Sequence, residues 1–131
     1  MKNVVITPIE PLYIKENGLY VQEIDRTDLP LGFVPTVRHL VTIPAGGISA
    51  NHMHPRTEGF IGIGKDLDFY WIDNKGLKNR RSMNSNNKLL LFLVAPNTPH
   101  AIKNNSDCPA VLLEYADMPQ DFKDLTDVKV I

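Results

Sequence analysis

The sequence predicts an all-β domain, a closed or sandwiched barrel, and three observations carry that reading. Segments of strand length recur at short intervals, turn-forming clusters stand between them, and no long stretch keeps the apolar period of a helix. The ten prolines agree, because nearly all fall at segment edges and turns, where no ladder donor is required. In order, the predicted strands are residues 3–7, 19–24, 37–43, 58–63, 67–72, 89–95, 100–104 and 111–115. Glu16-Asn17-Gly18, Pro44-Ala45-Gly46-Gly47 and residues 73–76, 82–87, 96–99 and 106–109 separate them, rich in the residues that supply turn dihedrals. Residues 120–125 read as a terminal turn of helix.

Alternation within the strands assigns faces. In Val37-Arg38-His39-Leu40-Val41-Thr42-Ile43, His39 shares its side with Val37, Val41 and Ile43, which predicts a histidine packed on the inner face. Leu67, Phe69 and Trp71 share one face of the next aromatic segment, and Asp68, Tyr70 and Ile72 share the other. One of these faces lines the interior, and the pattern does not say which. Leu89-Leu90-Leu91-Phe92-Leu93-Val94-Ala95 is a buried strand, far short of the roughly twenty apolar residues of a membrane span. Lys75, Lys78, Arg80 and Arg81 follow the turn Asp73-Asn74-Lys75-Gly76 and read as a solvated hairpin end able to touch a phosphate.

At 131 residues the chain is one domain, long enough to bury about two thirds of its unfolded surface without a disulfide or structural metal. A bound metal would therefore be functional. The formal net charge is −1 with acids and bases interspersed, which argues against nucleic acid or an anionic membrane as partner. The single cysteine, Cys108, excludes an internal disulfide framework and sits in a turn without a rigid base to activate it. No charged segment followed by an apolar core stands at the start of the chain, so a cytoplasmic location is expected.

The chemistry concentrates in two motifs, Gly46-x5-His52-x-His54-x3-Glu58 and Pro96-Asn97-Thr98-Pro99-His100-x3-Asn104. His52 and His54 project from one face of a strand, and Glu58 keeps that parity if the strand runs on past Pro55. Pro55 disfavours helical backbone at His54, and Pro99 does the same at Thr98. A return strand placing His100 opposite the first three would complete a site of three imidazoles and one carboxylate, a donor set suited to a first-row divalent metal. The competing reading is a metal-free pocket with hydrogen-bonded rim histidines. Arg56 has a donor fork for a substrate carboxylate or phosphate, with a surface ion pair as the equal alternative, and Tyr70 is a second candidate substrate contact.

These residues resemble the cupin superfamily, whose motifs read G-x5-H-x-H-x3,4-E-x6-G and G-x5-P-x-G-x2-H-x3-N. Gly46, His52, His54 and Glu58 fall in register, and Gly64 stands one residue short of the closing glycine. In the second motif Pro96, His100 and Asn104 are present, Pro96 and His100 are one residue closer than the pattern, and Asn97 offers left-handed backbone where the inner glycine is missing. The resemblance spans about residues 36–117. It implies a single-domain double-stranded β-helix, one divalent transition metal (zinc, iron, nickel, manganese or copper) on His52, His54, Glu58 and His100, a small-molecule ligand and a homodimer. The first functional expectation is a small metalloenzyme with oxygenase, isomerase or lyase chemistry. The alternatives are a metal-free sugar-nucleotide isomerase or epimerase with a histidine base, and a non-catalytic module binding a small carbohydrate or carboxylate.

Overall fold

The computed structural model describes residues 2–24, 33–85, 88–119 and 121–131. Among them there is no helix, and hence none long and apolar enough to cross a membrane. Two antiparallel sheets face each other. The larger takes the order β1 (Val4–Pro8), β10 (Lys88–Val94), β6 (Glu58–Ile63), β12 (Ala110–Ala116), β4 (Val37–Ile43), with β9 (Asn84–Ser85) added to β10. The smaller takes the order β13 (Thr126–Asp127), β5 (Ile48–Met53), β11 (His100–Asn104), β7 (Leu67–Ile72), β8 (Lys78–Ser82). A separate hairpin pairs β2 (Pro11–Ile14) with β3 (Tyr20–Gln22). From β4 to β7 and again from β10 to β13 successive strands alternate between sheets, the connectivity of a jelly roll, while β7–β8 and β9–β10 are hairpins within one sheet.

The interior fills from both sheets. Phe60, Phe92, Val94 and Leu112 of the larger meet Leu67, Phe69 and Ile102 of the smaller in one buried cluster. That settles the open face of β7: Leu67 and Phe69 point inward and Trp71 packs on the same cluster. The outer face of the larger sheet is also covered, with Ile61, Leu91, Leu93 and Tyr115 packed under Ile9 and Phe33. Burial on both faces explains why β6 and β10 read as nearly continuous apolar runs rather than alternating ones.

The turns obey their residues. Gly46 and Gly76 take left-handed dihedrals, at φ of 71° and 80°, and Asn97 supplies the same conformation at φ 59° in the turn that leads to β11. Asn104 is fully buried and ties two turns together, donating to the carbonyls of Ile43, Pro44 and Cys108 while accepting from Ser106. Three expectations change and one is refined. Residues 121–125 form a turn closed by Asp124 N–H on the Asp121 carbonyl instead of a helix, and residue 120 lies outside the described residues, as do 86 and 87 of the predicted 82–87 turn. Lys78 stands at the hairpin end closed by the turn 73–76, while Arg80 and Arg81 lie further along its second arm, the edge strand β8. His39 keeps the parity of Val41 and Ile43, but its side chain is 47% exposed because β4 is a sheet edge. The strand carrying His52 ends at Met53, so Glu58 is not its continuation. Residues 54–57 cross between sheets and Glu58 opens β6 opposite.

Candidate functional site

Three strand ends bring the motif residues together. His52 lies near the end of β5, with His54 just beyond it, His100 begins β11, and Glu58 begins β6 on the facing sheet. His52 and His100 are register partners, and the row continues across the smaller sheet as Asp127, His52, His100, Trp71 and Asn79. The ligand atoms of His52, His54 and His100 lie within 4.8 Å of one another, with ring centroids 5.0 to 5.6 Å apart. His54 and His100 are buried, whereas His52 is only half-buried and forms the open side of the cluster. Phe60 and Phe69 pack beneath His100, the latter parallel to it at 6.1 Å.

Glu58 joins the sheets electrostatically. One oxygen, Oε1, stands 2.8 Å from His54 Nε2 and 3.3 Å from His100 Nε2, and the other accepts a 2.9 Å hydrogen bond from Arg56. His100 Nδ1 is 2.8 Å from the Thr98 carbonyl, which can only accept, so Nδ1 carries the proton there and Nε2 turns toward Glu58. His54 Nε2, His100 Nε2 and Glu58 Oε1 are buried and make no well-directed hydrogen bond. Acceptors so close together need a cation between them, either a proton or a metal ion. Ligand atoms about 2.1 Å from an ion stand about 3 Å apart when adjacent, and the two contacts bracket that separation. The donor set therefore fits a divalent ion as well as a proton.

Charge reinforces this. Arg56 Nη2 also donates to Glu114 at 2.7 Å, so two carboxylates share one buried guanidinium and leave an excess of negative charge. Burial pushes the Glu58 carboxyl up, but His100 and His54 outweigh it and hold it well below the ordinary carboxylate range. Burial and the Glu58 charge raise Glu114. Burial first, then the charges of His100 and His54, lower His52 to about 4. The half-buried imidazole is thus a neutral base at physiological pH.

The other expected contacts fare differently. Arg56 is 4% exposed and committed to Glu58, Glu114 and the Met118 carbonyl, so its fork faces inward rather than toward a substrate. Tyr70 lies on the face of β7 opposite Phe69 and Trp71, with the Arg80 guanidinium over its ring, and does not reach the cluster. Trp71 does lie on the cluster's row. Beside it a groove of about 860 Å³ is lined by β1 and the β7–β8 hairpin, with Lys2, Lys75 and Arg81 among its walls. Glu114, which with Tyr115 ends a late predicted strand as a candidate to reach the cavity, does meet Arg56, and that pairing depends on the β12–β6 register.

The sequence matches no protein-family model and no curated protein. Solved structures do match the chain. The sugar 3,4-ketoisomerase QdtA from Thermoanaerobacterium thermosaccharolyticum, in complex with TDP, aligns at TM-score 0.75 and 12% identity over 95% of this chain and 88% of its own. A dTDP sugar isomerase from Desulfovibrio desulfuricans gives 0.75 and 15% identity over 94% and 83%. WlaRA, a TDP-fucose-3,4-ketoisomerase from Campylobacter jejuni, gives 0.71 and 15% over 94% and 87%. The fold is a cupin-type jelly roll. At these identities the likeness extends to the cupin architecture, and the residues that occupy it must be read from this chain.

The lowered His52 has a thermodynamic consequence. Between pH 6.5 and about 4 the unfolded chain binds a proton on His52 that the folded chain does not, so stability falls as pH falls through that window. Below about pH 4.5 the depressed Glu58 adds a further loss of the same sign. In chelator-treated protein the urea midpoint is expected to drop from pH 7 to pH 5, and to drop less in His52→Asn. Equal slopes for the two proteins would contradict the assignment.

Proposed function

We propose that the protein is a sugar-nucleotide isomerase or epimerase in which His52 is the general base. The observation that carries this is the accessible, neutral imidazole of His52 backed by two buried imidazoles and an ionised carboxylate. The shared fold of three sugar isomerases, two named for TDP sugars and one in complex with TDP, supports the substrate class. His52 takes the C–H proton beside a sugar carbonyl, and the electrons of that bond pass into an enediolate. The proton returns to the former carbonyl carbon while the hydroxyl proton moves between oxygens, so the step is redox-neutral and needs no cofactor. The negative charge around Glu58 and Glu114 stabilises the imidazolium in between.

The row from His52 to Asn79 gives such a ligand its direction. With strands about 4.8 Å apart, the sugar over His52 and His100 would send its diphosphate toward Trp71 and the groove walled by Lys2, Lys75 and Arg81. Trp71→Ala is expected to raise KM about 10-fold or more with kcat changed far less, as loss of a stacked ring would. A kcat defect with unaltered KM would place Trp71 in the chemistry instead. The proposal as a whole is tested by incubating the protein with TDP-4-keto-6-deoxyglucose in D2O and following carbon-bound deuterium by NMR. Incorporation and a shifted carbonyl are expected. Absence of exchange across a panel of keto-sugar nucleotides would end it.

A second reading has its own observation, the grouping of the His52, His54 and His100 ligand atoms within 4.8 Å of one another and the approach of His54 Nε2 and His100 Nε2 to Glu58 Oε1. His52, His54, His100 and Glu58 would hold one divalent ion, which supplies Lewis acidity to an oxygenated substrate. Metal analysis of protein purified without a histidine tag separates the two: near one equivalent per chain, lost in His54→Ala, favours the ion. A homodimer and cytoplasmic residence belong to the same proposal. The β2–β3 hairpin leaves Leu12, Tyr13, Ile14, Leu19 and Tyr20 between 45% and 63% exposed, an apolar surface suited to a second copy. Sedimentation is expected to give a dimer that Leu12→Glu/Ile14→Glu dissociates, and a monomeric wild type would refute it.

A further inference from the structure

We infer that Asn51 is a positioning residue that sets His52 opposite His100, anchored by residues 128–131. The register carries the first half. Along β11 and β5, Lys103 pairs with Ile48, Ile102 with Ser49 and Ala101 with Ala50, after which His100 pairs with His52. Asn51 is skipped. In an unbroken ladder His100 would face Asn51, and because side chains alternate, His52 would point out of the barrel. The bulge reverses that parity and delivers His52 to the inner face.

Such a bulge has to be held. Ala50 and Asn51 both adopt left-handed backbone, at φ of 73° and 63°, a conformation that L residues disfavour and asparagine tolerates best. The restraint comes from residues 128–131. Asn51 Oδ1 accepts from the N–H groups of Val130 and Ile131 at 3.1 and 3.2 Å, its Nδ2 donates to the Ile131 carbonyl at 3.2 Å, and its own carbonyl accepts from Val128 at 3.1 Å. Val130 is fully buried and β13 pairs with Met53 and His52, so the segment is itself fixed in place. The side chain of Asn51 therefore works as a clamp between the segment and the bulge that aims the base.

The kinetic part of this inference rests on the isomerase reading, and the structural part does not. Asn51→Gly keeps the left-handed backbone but deletes the side-chain bonds, and Asn51→Asp keeps the Oδ1 acceptor. In the glycine variant kcat is expected to fall by about 100-fold with KM nearly constant, as for a base displaced by about an ångström, while the aspartate variant stays close to wild type. Independently of turnover, the ring-proton NOE between His52 and His100, whose centroids are 5.2 Å apart, should vanish in Asn51→Gly and persist in Asn51→Asp. A glycine variant with the NOE intact, or an aspartate variant as impaired as glycine, would overturn the positioning role. If the wild type turns over no sugar nucleotide, the isomerase reading fails and the NOE comparison still decides the clamp.

Discussion

His52→Asn is expected to lower kcat on a keto-sugar nucleotide by about 10²–10⁴-fold, the usual worth of a positioned general base, while KM moves little. Asparagine keeps a polar group of similar reach but cannot take a proton, and the half-buried setting of His52 tolerates the change without a cavity. His54 and His100 are not equivalent controls, because both are buried and face Glu58. Their replacement would disturb the charge balance as well as the chemistry. Rapid-quench or NMR turnover assays read the effect directly. A His52→Asn enzyme with more than about a tenth of wild-type kcat would remove His52 from the role of base.

Arg56→Met is expected to cost about 3–5 kcal/mol of folding stability, the loss seen when one partner of a buried ion pair is removed. Glu58 and Glu114 would then face each other inside the barrel without their shared cation. Arg56→Lys should recover only part of the loss, since a single ammonium cannot hold both carboxylates and also reach the Met118 carbonyl in the geometry of the guanidinium fork. Urea titration at pH 7 measures both. A methionine variant within 1 kcal/mol of wild type would mean that one carboxylate is already protonated. In that case the double variant Arg56→Met/Glu114→Gln should be no more stable than the single one.

The strands that the sequence made legible are those whose signal is local. β4, β6, β7 and β11 coincide with the predicted segments because alternation, aromatic content and flanking turns all lie within them. The edge strands β8 and β13 are short and polar and owe their form to a neighbour's hydrogen bonds, so their composition carries little sign of them. The site shows the same division. Spacing marked His52, His54 and His100 as the residues that gather, and Asn97 adopted the turn conformation expected of it. Glu58 joined them by another route, because parity along a continued strand and a crossing to the opposite sheet both leave it facing inward. What remained hidden depends on pairing between distant segments. The Arg56–Glu114 contact spans 58 positions, and the bulge at Asn51 exists only relative to β11.

Glu58 hangs from one wall of the barrel and His100 from the other, so their 3.3 Å approach is a measurement of wall separation. The spacer is aromatic. Phe69 stacks on Phe92 of the opposing wall at 4.8 Å and meets Phe60 at 5.8 Å, directly below His100. Packed interiors do not deform continuously, so these rings act as a caliper whose setting is transferred to the Glu58–His100 contact above them. A residue with no polar atom thereby sets the distance between two polar ones, and a change of volume at Phe69 would be felt first in the Glu58–His100 separation and only afterwards as a loosened core.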